Sequence, residues 1–303
     1  MPECYLSTGC FQTSNLDKII SLSIEHYFNL ELSSALPFLD SILKNVFLTN
    51  GKLRYLVHNY FPSPAIPFVL NLASTDPLIH RQSVKLCKNA INLCARLGAP
   101  FYSVHAGFAL NLRPKDLGNP KIQSNFAAKQ SIPREAAYGV FVTTVNKLAL
   151  YATARNVGLL VENNVVACEN MADDGTFPLL LADVAEIKKF FKDLRFSEVG
   201  LLLDVGHAKV SAKTLQVSPQ LYFDELEPFI KCLHLSENDG CCDSNRPFNR
   251  NSWFFPFLKK FEHVPVVIEV YQRSLAELSE MHELIMNSSD ENTSMIGADA
   301  LWK

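Results

Sequence analysis

Long apolar runs, paired cysteines and basic clusters are all missing from this sequence of 303 residues. No apolar run approaches the ~20 residues that a membrane helix requires, and no basic region followed by an apolar stretch opens the chain. The eight cysteines form no CxxC pair and mostly lie in apolar segments, which is typical of reduced thiols. We therefore expect a cytoplasmic protein with no membrane contact and no structural disulfide.

An excess of basic residues is also missing. The chain has 28 Lys and Arg residues against 31 Asp and Glu residues, a formal net charge of -3, and the basic residues are dispersed. Proteins that bind nucleic acid usually carry a basic patch or stripe. The charge balance therefore disfavours nucleic acid as a partner. The sequence leaves the oligomeric state open, a homo-oligomer included.

Apolar residues are abundant, and they occur in short segments that end in metal-binding residue types. Hydrophobic residues make up 48% of the chain, enough for a large core in one domain. Such short runs are typical of strands buried on both faces of a parallel sheet. The segments are YLVH, YSVH, LLVE, LLLD, CLH and VVIE, ending at His58, His105, Glu162, Asp204, His234 and Glu269. In a (β/α)8 barrel all strands end at one face, so these donors predict a metal site there.

Eight strands are predicted along the chain, which is the number that closes such a barrel. They are Cys4–Ser7, Phe28–Leu32, Arg54–His58, Phe101–His105, Gly158–Glu162, Gly200–Asp204, Lys231–Leu235 and Val266–Val270. Helical spacing between them is clearest over Pro77–Leu97 and Arg134–Arg155. Asp76 is a good N-cap for the first of these helices, and Gly98 is a good stop signal. The fold class is therefore predicted to be α/β, a single (β/α)8 TIM barrel.

Two segments fall outside this alternation of strands and helices. The stretch Gly107–Pro133 contains Gly, Pro, Asn and Lys without a clear period, so we predict a long loop over the barrel mouth, a candidate lid. The chain becomes polar from Ser288 onward. We therefore predict that the barrel occupies residues 1–287 and that residues 288–303 form a C-terminal tail.

The carboxylates define the expected chemistry. Glu162, Asp204, His234 and Glu269 together supply three carboxylates and one imidazole. This set suits Mn, Mg, Co or Zn and leaves coordination positions open for a substrate. Any one of these residues alone is more often a structural group, but three clustered carboxylates without a cation would repel one another and raise their pKa values. We therefore predict that the four residues hold one divalent metal.

Two further polar residues follow the strand that ends at Asp204. Gly206 would allow a sharp turn just past the strand, and His207 would then lie near the pocket. His207 could bind a substrate oxygen, ligate another metal or cap a loop. Lys209 could neutralise a phosphate or carboxylate of a substrate, although lysines are more often solvated.

The segments as a set resemble the xylose isomerase-like TIM barrel superfamily, which includes sugar isomerases and epimerases and the endonuclease IV group of AP endonuclease family 2. The resemblance covers nearly the whole chain. It is carried by LVHNYFPSP, NLAS with Arg81, SVHAG, LLVENN, LLLDVGH, HLSENDGCCDSNRPF, and SWF followed by VVIEV. In ketose 3-epimerases of this superfamily a Glu, Asp, His, Glu quartet holds one divalent metal, and both Glu residues exchange protons with the substrate. The resemblance therefore implies that Glu162 and Glu269 are catalytic as well as metal-binding.

The resemblance to the endonuclease IV group brings in additional positions. In that group further histidines and a second cluster with carboxylates help to hold three zinc ions, and His58, His105, His207 and Asp243 match such positions. Those chains carry Asp-x-His where this sequence has Asp243 and Asn245, so one imidazole ligand of the third metal is missing. A second metal at His58 and His105 stays open. Hydrogen bonding to the substrate is the other role for these two histidines.

Three functional hypotheses follow, and the first is preferred. It is a metal-dependent isomerase or epimerase of a sugar or sugar derivative, a small-molecule carbohydrate, with a metal-bound enediolate and proton transfer by Glu162 and Glu269. Its predicted substrate-binding residues are His58, His105, His207, Lys209 and Arg246. Other polar residues that could meet a hydroxylated ligand are Glu237, Asn163 and Asn164.

The second hypothesis is an endonuclease IV-like phosphodiesterase that acts on abasic DNA, in which clustered metals activate water. Tyr60 and Phe61 could then wedge into a duplex, as apolar side chains do in DNA-bending proteins. The charge balance disfavours this activity. A catalytically silent barrel is the third hypothesis, and the full ligand quartet disfavours it.

Overall fold

Eight parallel strands close into a barrel in the computed structural model, which describes residues 2–38, 42–116 and 132–287. Each strand pairs with its neighbours in chain order, and the last strand pairs with the first. The strands are β1 Cys4–Ser7, β2 Asn29–Leu32, β3 Tyr55–His58, β4 Phe101–His105, β5 Gly158–Glu162, β6 Val199–Asp204, β7 Ile230–Leu235 and β8 Val266–Ile268. The predicted (β/α)8 barrel is confirmed, and the strand ends differ from the prediction by no more than one or two residues.

Helices follow the strands around the outside of the barrel. Over the described residues they are α1 Leu16–His26, α2 Ile42–Thr49, α3 Pro77–Leu97, α4 Arg134–Thr153, α5 Val184–Asp193, α6 Val205–Leu215, α7 Gln220–Leu226 and α8 Leu275–Met286. The signals at both ends of α3 act as predicted. The Asp76 side chain accepts hydrogen bonds from the amides of Leu78 and Ile79, and Gly98 ends the helix with a φ of 69°.

A layer of seven side chains fills the barrel interior below the mouth. The layer is Tyr5, Leu56, Phe101, Leu160, Leu202, Cys232 and Val267. Side chains two positions apart on a strand point to the same face, so the residue two positions further along each strand also points inward, one layer nearer the mouth. For the last five strands that residue is Ser103, Glu162, Asp204, His234 or Glu269. The period of the strands therefore places polar residues directly above an apolar floor.

Two predicted features fall outside the described residues wholly or in part. Of the predicted lid Gly107–Pro133, residues 117–131 lie outside them. The described start of that segment pairs with a later loop through a β-bridge between Phe108 and Leu179. The predicted tail, residues 288–303, also lies outside the described residues. In the described ranges no helix is long and apolar enough to cross a membrane.

Candidate metal centre

The structure brings the four predicted metal ligands together at the barrel mouth. Glu162, Asp204, His234 and Glu269 each offer one ligand atom, and these atoms lie within 4.8 Å of one another. Glu162, Asp204 and His234 are buried at the ends of β5, β6 and β7. Glu269 comes directly after β8, and its side chain is 17% exposed. The four residues thus surround one small volume, and Glu269 borders its open side.

Glu162 lies at the centre of this cluster. Its Oε2 atom is 3.3 Å from Nε2 of His58 and 3.4 Å from Nε2 of His105. Its Oε1 atom is 3.5 Å from Nδ1 of His207 and 3.8 Å from Nδ1 of His234. Neither oxygen has a hydrogen-bond partner among the described residues. A buried carboxylate of this kind is costly unless a cation neutralises it, and imidazole nitrogens stand where further ligands of that cation would be.

Glu31 holds His234 in place from the side opposite to the cluster. Nε2 of His234 shares a hydrogen bond with Oε2 of Glu31 over 3.0 Å, and Nδ1 faces the other ligands. That Nδ1 atom is 2.6 Å from Oε2 of Glu269 and 3.9 Å from Oδ2 of Asp204. Glu31 is fully buried in β2, in register with Leu56 of the interior layer. Sequence reasoning missed Glu31; the available signal was a lone acidic residue inside the apolar strand NLEL.

Two other histidines are oriented in the same way. Nδ1 of His58 shares a hydrogen bond with Oγ of Ser103 over 3.0 Å, which leaves Nε2 facing Glu162. Nδ1 of His207 donates a hydrogen bond to the carbonyl oxygen of Asn163 over 2.9 Å, and Nε2 lies 3.4 Å from Oδ2 of Asp243. Groups outside the cluster therefore aim imidazole nitrogens at carboxylate oxygens, the arrangement that metal-binding histidines usually have.

The pKa values of the cluster also favour a bound cation. Burial raises the pKa of Glu162 well above its usual value and raises the pKa of Asp204 to about 6. Burial opposes the charged form of His234, but Glu31 and Glu269 outweigh it and hold the pKa of His234 well above its usual value. Without a metal, Glu162 and His234 therefore retain protons near neutral pH, and Asp204 takes up its proton at about pH 6. A divalent cation would displace the protons and neutralise the carboxylates, so the residues fit a metal.

Asp204 uses its two oxygens differently. Its Oδ1 atom accepts a hydrogen bond from the backbone amide of His207 over 2.7 Å and so caps α6. Its Oδ2 atom has no hydrogen-bond partner among the described residues. The predicted sharp turn at Gly206 is wrong, because α6 begins at Val205, directly after β6. Gly206 is needed instead for space, since a Cβ atom there would lie 2.5 Å from Oγ of Ser236.

A second group of potential ligands shares Glu162 with the first. The ligand atoms of His58, His105 and Glu162 also lie within 4.8 Å of one another. The two histidines differ in access, because the His58 side chain is 3% exposed and the His105 side chain is 35% exposed. These three residues could therefore hold a second metal, which the sequence left open.

The predicted substrate-binding residues Lys209 and Arg246 are both engaged with the loop that follows β7. Nζ of Lys209 is 2.5 Å from Oε1 of Glu237 and 2.7 Å from the carbonyl oxygen of Asn238. Arg246 is half-exposed, and its Nη2 atom is 2.9 Å from Oδ2 of Asp239. Both cations therefore tie down this loop, and their contact with a substrate stays a prediction.

Asn163 and Asn164 both hydrogen-bond to the backbone, and their contact with a hydroxylated ligand stays a prediction. Oδ1 of Asn163 accepts a hydrogen bond from the amide of Asp204, and its Nδ2 atom donates to the carbonyl oxygen of Asp204. Nδ2 of Asn164 donates to the carbonyl oxygens of Ala106, Gly107 and Leu180. Both amides therefore hold the backbone of neighbouring strand ends in position.

The position of the missing histidine ligand leads to a first prediction. Nδ2 of Asn245 is 3.5 Å from Oδ2 of Asp243, which in turn faces His207. Because imidazole is a much better zinc ligand than an amide, Asn245→His is expected to increase the zinc bound per chain, measured by mass spectrometry after dialysis. Asn251→His, at an exposed position in the same loop, is the control and should bring no gain. Equal zinc content in Asn245→His and the unmodified protein would mean that this loop forms no metal site.

The fold and the site together define a TIM barrel whose mouth gathers carboxylates and histidines that could hold a metal. The chain belongs to the xylose isomerase-like TIM barrel family, whose model matches residues 31–286. The resemblance predicted from the sequence is therefore confirmed. A comparison with curated proteins finds no match.

Solved structures with the same fold include two described as epimerases or epimerase-like. One is a D-tagatose 3-epimerase-like protein, with 17% identity and a TM-score of 0.68 over 94% of this chain and 96% of that chain. Another is D-psicose 3-epimerase from Clostridium cellulolyticum with D-tagatose, with 15% identity and a TM-score of 0.66 over 95% and 98%. A third is a Thermus thermophilus protein soaked with zinc chloride, with 19% identity and a TM-score of 0.61 over 93% and 97%. At these identities the likeness shows the fold alone.

Proposed function

We propose that this protein is a divalent-metal-dependent isomerase or epimerase of a sugar or sugar derivative. The observation that carries the proposal is the convergence of Glu162, Asp204, His234 and Glu269 within 4.8 Å at the mouth of the barrel. The family supports it, as do similar structures described as a D-tagatose 3-epimerase-like protein and a D-psicose 3-epimerase. The same fold hosts many activities, so the site carries more weight than the fold.

The metal, one of Mn, Mg, Co or Zn, would supply a positive charge that polarises a substrate carbonyl. The residues around it have unequal access to the substrate. Glu269 is part-exposed beside the open mouth, and we assign to its carboxylate the proton transfer at the carbon next to the carbonyl. Glu162 is fully buried and surrounded by histidines. Its carboxylate therefore meets a bound substrate from inside the barrel, below the mouth. It is assigned the second proton-transfer role.

The histidines at the mouth divide in the same way. His105 is part-exposed and is assigned to hydrogen bonds with substrate hydroxyls. His58 is almost fully buried against Glu162 and Ser103, which suits a metal ligand better than a substrate contact. His207 faces Asp243 across 3.4 Å at the edge of the cluster and is assigned to a substrate oxygen.

A second candidate function is phosphodiester hydrolysis at abasic DNA, and one observation favours it. Glu162 is shared by two ligand groups, and a carboxylate between two metals is the arrangement that many hydrolases use to hold both the attacking and the leaving oxygen. The formal net charge of -3 gives no support for a DNA-binding surface. Phe61 is fully buried and Tyr60 accepts a hydrogen bond from the amide of Phe68, so the wedge predicted from these rings is wrong for Phe61.

The two functions are separated by one experiment on the unmodified protein. We expect protein loaded with Mn, Mg, Co or Zn to catalyse incorporation of solvent deuterium into one member of a ketose panel, observed by NMR, because proton exchange accompanies isomerisation or epimerisation. The same samples should leave an abasic duplex intact at low salt, where phosphate contacts are strongest. Protein stripped with a chelator is the control and should show no exchange. Metal-dependent cleavage of the duplex without exchange in any sugar would overturn the proposal.

A further inference from the structure

Over the ranges that the structure describes, three groups of potential metal ligands lie at the mouth, and one of them is Glu31, His58 and His234. The other two share Glu162, and they differ in which residue hydrogen-bonds to their histidines. Behind His234 stands the carboxylate of Glu31, 3.0 Å from Nε2. Behind His58 stands the hydroxyl of Ser103, 3.0 Å from Nδ1. A carboxylate is a charged acceptor and a hydroxyl is a neutral one, so the bond to Glu31 is the stronger of the two. The two metal positions are therefore not equivalent.

Glu31 is buried in a place where a carboxylate is expensive. It is fully buried in the barrel interior beside Leu56, and its Oε1 atom has no hydrogen-bond partner among the described residues. Burial of a charged group without full pairing destabilises a protein unless the charge has a specific partner. In the described part of the chain that partner is His234, whose other nitrogen faces Glu269.

We propose that Glu31 is a positioning residue that makes the His234 position the tighter of two metal positions. This inference rests on the metal-binding half of the proposed function and not on the choice of substrate. Glu31 fixes the hydrogen of His234 on Nε2, locks the ring and makes Nδ1 a stronger donor to a metal. The His234 position also has three carboxylates, whereas the position of His58 and His105 has one, Glu162. A divalent cation therefore fills the His234 position first.

The order of filling can be read in the unmodified protein. The metal-free protein is given one equivalent of Co²⁺, and X-ray absorption fine structure counts the imidazole rings bound to it. We expect one imidazole, from His234, because the other position would contribute two, from His58 and His105. A count of two would overturn the proposal. A count between one and two, which signals random filling, would also overturn it.

The role of Glu31 is tested with Glu31→Gln and a matched variant behind the other position, Ser103→Ala. Affinities for both Co²⁺ ions are measured by competition with a chromophoric chelator. Glu31→Gln is expected to lower the affinity for the first Co²⁺ ion by about 10–100-fold, because loss of an outer-shell partner typically has this effect. The affinity for the second ion should stay unchanged. Ser103→Ala is expected to lower only the affinity for the second ion. An unchanged first affinity, or an equal loss at both positions, would show that Glu31 is a structural residue.

Two measurements keep this test separate from folding and from the choice of substrate. Thermal unfolding of the metal-free variants, followed by circular dichroism, shows whether each variant is folded. If Glu31→Gln does not fold, the imidazole count in the unmodified protein decides the proposal alone. A Glu31 effect confined to the first ion supports the inference even if no ketose reacts. A protein that binds no Co²⁺ would overturn the inference and the proposed function together.

Discussion

At a saturating metal concentration, the Glu269→Gln protein is expected to keep much of its metal and to lose at least about 100-fold of its rate of solvent deuterium incorporation, since a general acid or base typically contributes 10²–10⁴-fold. The amide has nearly the same shape as the carboxylate but cannot accept the proton. The other three ligands, Glu162, Asp204 and His234, remain in place. The measurement pairs the NMR exchange rate of the reactive ketose with the metal content of the same sample. Exchange should fall far more than metal content does.

The control for this change is Glu198→Gln. Glu198 is exposed and immediately precedes β6, so it lies at the end of the barrel opposite the metal centre. Its replacement should alter neither exchange nor metal content. If exchange in Glu269→Gln falls only in proportion to its loss of metal, then Glu269 acts solely as a ligand and the proton transfer belongs to another group.

Asp204→Asn is expected to reduce metal affinity, because it removes the charge of a metal ligand. The loss should exceed the about 10–100-fold that is typical when an outer-shell partner is removed. The fold should survive. Asn caps helices about as well as Asp, so the amide oxygen can still accept the hydrogen bond from the amide of His207 that starts α6. Affinity is measured by competition with a chromophoric chelator, and folding by circular dichroism.

Asp183→Asn provides a matched control, because Asp183 is also an N-cap. It accepts a hydrogen bond from the amide of Glu186 at the start of α5, and it is not a member of the ligand group. The two substitutions make the same chemical change at the same structural position of a helix. Only Asp204→Asn should lose metal. Similar affinities in both variants would remove Asp204 from the metal centre.

The barrel and most of its mouth can be predicted from the sequence, because the last inward-facing position of each strand is also where the strand ends. Each apolar run is short, and its last inward position carries a polar residue, as in LLVE at Glu162 and LLLD at Asp204. Parallel strands in a closed barrel all end on one face, so the convergence of these residues follows from the fold alone. No knowledge of the loops is needed for this step.

The residues that hydrogen-bond to the ligands are harder to predict from the sequence, because their contacts depend on how distant strands line up across the barrel. Glu31 and His234 are 203 residues apart in the chain, and their contact needs β2 and β7 to face each other at matching height. The immediate start of α6 after Asp204 was missed for a related reason. Gly206 signals a turn in isolation, whereas the close approach of Ser236 that requires a glycine appears only in the folded protein.

The layer of seven side chains beneath the metal centre decides from which side molecules can reach it. The layer is Tyr5, Leu56, Phe101, Leu160, Leu202, Cys232 and Val267. These side chains fill the barrel interior, so the metal centre is closed to the opposite end of the barrel. Under the proposed function, reactant, product and water would therefore all pass through the one open mouth. A compound bound in that mouth would then inhibit the proposed reaction in both directions, because it would block the entry of reactant and the release of product.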